Sequence, residues 1–194
     1  MTKIAVLAVQ GAFIEHEKRL GMLGCETKEL RQLKDLDGRF DGLVLPGGES
    51  TVQTKLLREL GMFEPLKVMI EDGLPVLGTC AGLILLAENI EGDGINDCEG
   101  FATLPVTIKR NAYGRQLGSF HADAVLSGRG RRGTIPATFI RAPKIVEMEE
   151  GVECIARLGG TPVAVEYGNQ IGCAFHPELD ASDEIYNRFL RNCR

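Results

Sequence analysis

The sequence predicts an α/β protein built on a doubly wound, mostly parallel sheet that gains an antiparallel extension toward its C-terminus. Three observations predict it. A β-loop-α order repeats three times within the first 90 residues, and strands alternating with helices favour parallel pairing. Beyond residue 100 the apolar runs shorten and turn residues separate them, the pattern of antiparallel strands. The unusual loops all follow strands, at the carboxyl edge where such sheets bind ligands.

The elements follow in order. Lys3 to Val9 is a nearly continuous apolar run that reads as a strand, and "QGAF" is the loop after it. In "IEHEKRLGMLG", Ile14, Leu20 and Leu23 fit one helical face closed by glycine. "FDGLVL" is the next strand, "PGGEST" its loop and "VQTKLLRELGM" its helix, with Ser50 or Thr51 available as the cap. "LPVL", the turn "GTCAGL" and the helical run "LILLAENI" make the third unit. Later, "ATLPVTIKR", "ATFIRAP", "VECIARL" and "TPVAVEYGNQIGCAFHPE" read as short strands, with Gly168-Asn169 as a hairpin turn. Asp183 to Asn192 closes the chain as a helix, Ile185, Phe189 and Leu190 sharing its buried face. "SGRGRRGT", holding Arg129 to Arg132, reads as a solvated loop.

Bulk properties narrow the function. With 194 residues and no break in composition, residues 1–194 are expected to form one domain. A net charge of −5 argues against a general nucleic-acid or anionic-membrane surface. The basic "GRGRRG" lacks the interleaved aromatics of a single-strand binder. No apolar run approaches the ~20 residues that span a bilayer, and "MTKIAVLAVQG" has no cleavable signal pattern. A cytoplasmic protein is expected. Six scattered cysteines, without a C-x-x-C pair, indicate neither a zinc site nor a disulfide framework. Cys25, Cys154 and Cys173 read as small core hydrophobes. No metal or organic cofactor is expected.

Cys80 differs because it sits between two glycines at a strand-to-helix turn, the layout of a nucleophile elbow with cysteine in place of serine. A thiol needs a base to become a good nucleophile. Of the three histidines, His16 lies in a charged helix and reads as exposed, and His121 in "SFHAD" has no assigned role. His176 in "AFHPEL" ends a strand, and Glu178, two residues on, projects from the same face if the strand persists. A carboxylate beside an imidazole fixes its tautomer, so Cys80, His176 and Glu178 form a candidate triad. Gly47-Gly48 in "LPGGEST" and the N–H of Ala81 are candidate oxyanion donors, Gly48 and Ala81 forming the pair.

With "PGGES", "GTCAGL" and "FHPE" in this order, the chain resembles the triad-type glutamine amidotransferases. "LAVQGAFIEH", "LPGGEST", "GTCAGLILLA", "KRNAYGRQ", "FIRAP" and "GCAFHPEL" make it similar, more narrowly, to the glutaminase subunits of pyridoxal 5′-phosphate synthases. The resemblance implies a flavodoxin-like three-layer sandwich. It implies that Cys80 attacks the side-chain amide of L-glutamine, that His176 passes a proton to the departing ammonia, and that Glu178 orients His176. It further implies that Gly47, Gly48, Glu49, Arg110, Ile140 and Arg141 line the glutamine site, with Gln10 as an accessory near the oxyanion region. The implied partner is a barrel-fold synthase subunit in a hetero-oligomer, which receives the ammonia and on which glutaminase activity depends. Where His121 stands the family usually carries glutamate, which leaves any role of that position open. The alternatives are a glutaminase subunit of another amidotransferase, a flavodoxin-like thiol protein whose elbow cysteine is oxidised, and a binding module without turnover.

Overall fold

Strand-forming and helix-forming segments alternate as expected in the computed structural model, which describes residues 1–92, 100–110, 118–128 and 133–193. The first strands are β1 (Lys3–Leu7), β2 (Glu26–Leu30), β3 (Gly42–Leu45) and β4 (Val76–Thr79). Helices α1 (Phe13–Met22), α2 (Ser50–Glu59), α3 (Phe63–Glu71) and α4 (Ala81–Leu86) connect or follow them. Strands β5 (Ala87–Glu91), β6 (Leu104–Lys109), β7 (Ser119–Leu126), β8 (Thr134–Ile140), β9 (Lys144–Met148), β10 (Glu153–Leu158), β11 (Thr161–Tyr167) and β12 (Gln170–Cys173) precede the closing helix α5 (Glu184–Asn192).

Among the described residues the main sheet has the order β2-β1-β3-β4-β12-β11-β10-β7-β8. It is parallel from β2 to β12 and antiparallel from β12 to β8. β1, β3, β4 and β12 form the buried centre, buried almost without a break along their length, and this is why β1 and β3 read as nearly continuous apolar runs rather than alternating ones. The return from β11 to β12 is the anticipated hairpin, with Tyr167 opposite Gln170 and Gly168 at φ 56°. A smaller, separately hydrogen-bonded sheet, β5-β6-β9, packs through β9 against β11 of the main one.

Successive side chains of a strand point to opposite faces, which assigns the helices to layers. A Cβ on Gly42 would meet Phe189 and Cys193 of the α5 region, so α5 covers that face of β3. Three residues on, Leu45 touches α4 on the other face. The sheet is thus the middle of three layers. On α5, Ile185, Tyr186 and Phe189 are buried and Leu190 is partly so.

Three local expectations are corrected. The helical run "LILLAENI" stops at Leu86, and Ala87–Glu91 is a strand paired in parallel with β6. Pairing with a neighbour distant in sequence overrides the modest helix propensity of "AEN". Helix α2 is capped not by Ser50 or Thr51 but by Glu49, whose carboxylate accepts the Val52 N–H at 3.2 Å. In α1 the buried side chains are His16 and Leu20, whereas Ile14 is 47% exposed. The basic loop Arg129 to Arg132, Cys98 and residues 111–116 of "KRNAYGRQ" lie outside the described residues.

Glycines at the elbow serve close packing. A Cβ on Gly82 would stand 2.0 Å from the Leu45 carbonyl oxygen, and one on Gly78 2.7 Å from the Gly82 carbonyl oxygen. Gly82→Ala should therefore lower Tm by roughly 5 °C or more, the scale of an overpacked core in a chain of this size. Gly21→Ala, in α1 with nothing within 4 Å of the new methyl, should be stabilising by about 0.5–1 kcal/mol. Thermal unfolding of both variants is the measurement, and an unchanged Tm for Gly82→Ala would contradict the packing.

Candidate active site

β4 ends at Thr79, and the next residue carries the turn. Cys80 has φ 50° and ψ −100°, a conformation that costs on the order of 1–3 kcal/mol for a residue with a Cβ. The flanking glycines take no positive φ, so the bend is concentrated in the cysteine itself. It is held there by the Cys80 N–H, which donates to the Cys173 carbonyl of β12 at 2.8 Å. The side chain is 6% exposed, and its thiol lies 3.7 Å from the Ile140 carbonyl oxygen.

β12 delivers the second group. After Cys173 the chain runs through Ala174 and Phe175 to His176, whose N–H donates to the Thr138 carbonyl at 2.8 Å. Pro177 then starts a 3₁₀ turn, Pro177–Leu179, which folds Glu178 back under the ring. The His176 Nδ1–H donates to Glu178 Oε1 at 2.7 Å. With Nδ1 engaged, the buried Nε2 makes no hydrogen bond of its own and is the ring atom free to serve the Cys80 thiol, which lines the same cleft. Burial opposes charge on this ring, but Cys80 and Glu178 beside it outweigh burial and push its pKa up to about 10. His176 is therefore a base strong enough to take a thiol proton.

Glu178 is buried, and burial again opposes its charge, yet His16 and then His176 hold it below the usual carboxylate range. His16 corrects the reading of that residue as exposed. It is fully buried, and burial pushes its own pKa down, so it assists Glu178 as an N–H dipole. The helical stripe joining His16 to Leu20, four residues on, was the available signal; the charged neighbours Glu15, Glu17 and Lys18 masked it.

The glycine loop after β3 sits against this pair. A Cβ on Gly47 would stand 2.4 Å from His176 Cε1, so no other residue fits beside the ring. The Gly47 carbonyl accepts the Ala12 N–H at 3.0 Å. Gln10 Oε1 accepts the Glu49 N–H at 2.9 Å, and Gln53 Nε2 donates to the carbonyls of Gln10 at 3.0 Å and Pro46 at 3.2 Å. Gln10 thus ties the loop from behind.

These elements enclose a cleft of about 270 Å³, lined by Gly47, Gly48, Glu49, Cys80, Arg110, Ile140, Arg141 and His176, with Gly11, Ala12, Ser50 and Ile84. Its wall pairs opposite charges, the Arg110 guanidinium donating to Glu49 Oε1 at 3.2 Å and to Thr51 Oγ1 at 3.3 Å. Arg141 sits at φ 45°, its N–H donating to the Gly118 carbonyl at 2.6 Å. Gln10, Ala81 and Glu178 do not line the cleft but stand behind its wall. His121 is outside it, exposed, with Nδ1 3.0 Å from Thr138 Oγ1. The buried Asp180 carboxylate accepts from the Thr138 N–H at 2.9 Å and from its hydroxyl at 2.7 Å, which fixes the strand that holds His176.

Because the ring's pKa is about 10 in the folded state and about 6.5 in the unfolded chain, its contribution to stability is complete below about pH 6.5. It is lost progressively as pH rises toward 10. Chemical denaturation across this window should show a steeper loss of stability for the wild type than for His176→Asn; equal slopes would contradict the assignment.

Comparison with known proteins gives the chain's relatives. A sequence profile of the SNO glutamine amidotransferase family matches residues 6–194. A protein of Desulfitobacterium hafniense (strain Y51) named pyridoxal 5′-phosphate synthase subunit PdxT is 58% identical over 188 residues, covering 97% of this chain and 92% of the relative. A protein of the same name from Methanocorpusculum labreanum is 51% identical, covering 97% and 96%. A solved structure of a glutamine amidotransferase superposes with a TM-score of 0.88 at 41% identity, covering 98% of both chains. The solved structure of a putative GMP synthase protein from Thermoplasma acidophilum, at 22% identity and a TM-score of 0.70 over all of this chain and 94% of that one, shares the fold.

Proposed function

The chain belongs to the SNO glutamine amidotransferase family, and from that premise we propose that it is the glutaminase subunit of a pyridoxal 5′-phosphate synthase. We read residues 1–194 as one glutaminase domain working in the cytoplasm, where its free thiols stay reduced. Its similarity to proteins named pyridoxal 5′-phosphate synthase subunit PdxT supports the synthase-subunit reading. The observation that carries the chemical reading is Cys80 and His176 lining one cleft, with Glu178 behind the His176 ring and an acid and an arginine on the cleft wall.

In this reading His176 Nε2 already holds the proton given up by the Cys80 thiol, and Cys80 Sγ attacks the side-chain amide carbon of L-glutamine. The oxygen becomes an oxyanion facing the N–H groups of Gly48 and Ala81. The C–N bond breaks, the departing nitrogen takes the His176 proton and leaves as ammonia, and a γ-glutamyl thioester remains on Cys80. Water then gives a proton to His176 and adds to the thioester carbon. Loss of the thiolate, reprotonated by the ring, releases glutamate. Throughout, Glu178 keeps Nδ1 protonated and the ring aimed at sulfur.

Glutamine is a zwitterion, so its far end needs a cation and an anion. Arg110 and Glu49, already paired across the wall at 3.2 Å, suit its carboxylate and ammonium, with the Ile140-Arg141 backbone completing the site. Ammonia released into bulk water is protonated and lost as a nucleophile. This favours delivery to an attached synthase subunit of barrel fold. Docking would set the oxyanion donors, since losing one such donor typically costs ~100- to 1000-fold in rate.

The test is glutamate release from glutamine with and without the synthase subunit. Synthase-dependent release that vanishes in Cys80→Ala is expected, and Arg110→Ala should raise KM at least 10-fold, the scale of one charge-assisted contact, with kcat less affected. Absence of release from the wild type with its synthase would overturn the function, and equal release without it would overturn the docking dependence.

A further inference from the structure

Behind the cleft, on the side away from solvent, the Glu178 carboxylate meets a group that the hydrolysis itself does not use. Oε1 takes the His176 Nδ1–H at 2.7 Å, while Oε2 is buried without a hydrogen-bond partner of its own and lies 3.3 Å from His16 Nε2, within ion-pair distance. His16 is itself fully buried, with Nε2 3.2 Å from Thr79 Oγ1 and Nδ1 2.7 Å from the hydroxyl of Tyr186, which is also fully buried. Four elements converge here: α1, α5, the end of β4 one residue before Cys80, and the 3₁₀ turn after β12.

The tautomer of His16 follows from what these atoms can do. An ionised carboxylate only accepts, and an oxygen buried without a donor costs about 1–3 kcal/mol, more when charged. Were Nε2 unprotonated, its lone pair would face Oε2 at 3.3 Å in a dry site. A neutral ring must therefore carry its proton on Nε2 and accept at Nδ1 from the Tyr186 O–H. Burial pushes the Tyr186 hydroxyl well above its ordinary pKa and that of His16 below it, so the hydroxyl keeps its proton and the ring stays neutral. Glu15 and Arg19 from α1, Cys173 from β12 and Asp183 beside α5 are the remaining charged or titratable groups facing this cluster. None stands between His16 and Glu178.

We propose that His16 is a positioning residue for the hydrolysis: its Nε2–H, fixed by Tyr186, holds the second oxygen of Glu178 and so extends the triad into a buried line from Tyr186 through His16, Glu178 and His176 to Cys80. The inference rests on the glutaminase reading. His16 touches no substrate; it acts by fixing the rotamer of Glu178 and keeping that carboxylate ionised, the condition under which His176 holds its proton and its aim.

The test compares His16→Leu with His16→Gln in the synthase complex. The leucine side chain fills space without a donor, whereas glutamine keeps an N–H of similar reach. His16→Leu should lower kcat about 10- to 100-fold, the range seen when the outer partner of a site group is removed, with KM little changed. It should also move the acid limb of the kcat profile to higher pH, because Glu178 without its donor protonates more easily; His16→Gln should retain most of both. Wild-type kcat and pH profile in a folded His16→Leu, or a His16→Gln as impaired as His16→Leu, would overturn the proposal. Nitrogen NMR of the wild type with labelled histidine decides the matter even if the leucine variant does not fold. A neutral Nε2–H form is expected for His16, and an Nδ1–H form or an imidazolium at neutral pH would overturn it. Failure of the wild type to hydrolyse glutamine would defeat the glutaminase reading instead, and leave the NMR result to judge His16.

Discussion

The site depends on keeping one carboxylate charged in the dry interior. Removing Glu178 from water would ordinarily drive it toward its neutral form. Here each oxygen faces an imidazole, His176 at 2.7 Å and His16 at 3.3 Å, and the balance falls on the side of charge. The state of His176 follows, since an ionised neighbour is what lets a buried ring stay protonated. Arrangements of this kind are costly to half-complete: removing one member leaves its partner buried and unpaired.

The sheet supplies the geometry that this constraint needs. Adjacent parallel strands end at one edge, so β4 and β12, paired from Val76 opposite Gln170 to Thr79 opposite Cys173, release Cys80 and His176 side by side. The antiparallel half contributes through β8, whose Thr138 carbonyl anchors the His176 backbone and whose end supplies Ile140 to the cleft. Glycine is used where backbone and ring must approach closely. Gly47 leaves room for the His176 ring, and Gly82 lets α4 lie on Leu45, so that the helix begins directly after the cysteine. Strain is confined to Cys80, Ala102 and Arg141 among the non-glycine residues described, and two of these three line the cleft.

Much of this was legible in the sequence because the informative residues sit in local patterns. Cys80 between glycines after an apolar run, and His176 and Glu178 either side of a proline, each announce a strand end and a chemistry within a few residues. Arg110, Ile140 and Arg141 carried no such local sign and came from family resemblance; they line the cleft. His16 was misread because burial is a property of the assembled layers. Between Glu15 and Glu17 it looks solvated, and only the packing of α1 against α5 and β4 makes it interior. Likewise "AENI" has no strand signature of its own and is drawn into a sheet by β6, and the Glu49 cap displaced the more usual Ser50 because its backbone N–H is already held by Gln10.

The central claim is that Cys80, served by His176 and Glu178, forms a covalent intermediate with glutamine. The most direct measurement is rapid acid quench of the synthase-bound protein during turnover of isotopically labelled glutamine, followed by peptide mass spectrometry. A labelled γ-glutamyl adduct on the Cys80 peptide, accumulating before glutamate release and absent from Cys80→Ala, is the predicted result. Glutamate release that continues in Cys80→Ala, or label carried on a different residue, would contradict it.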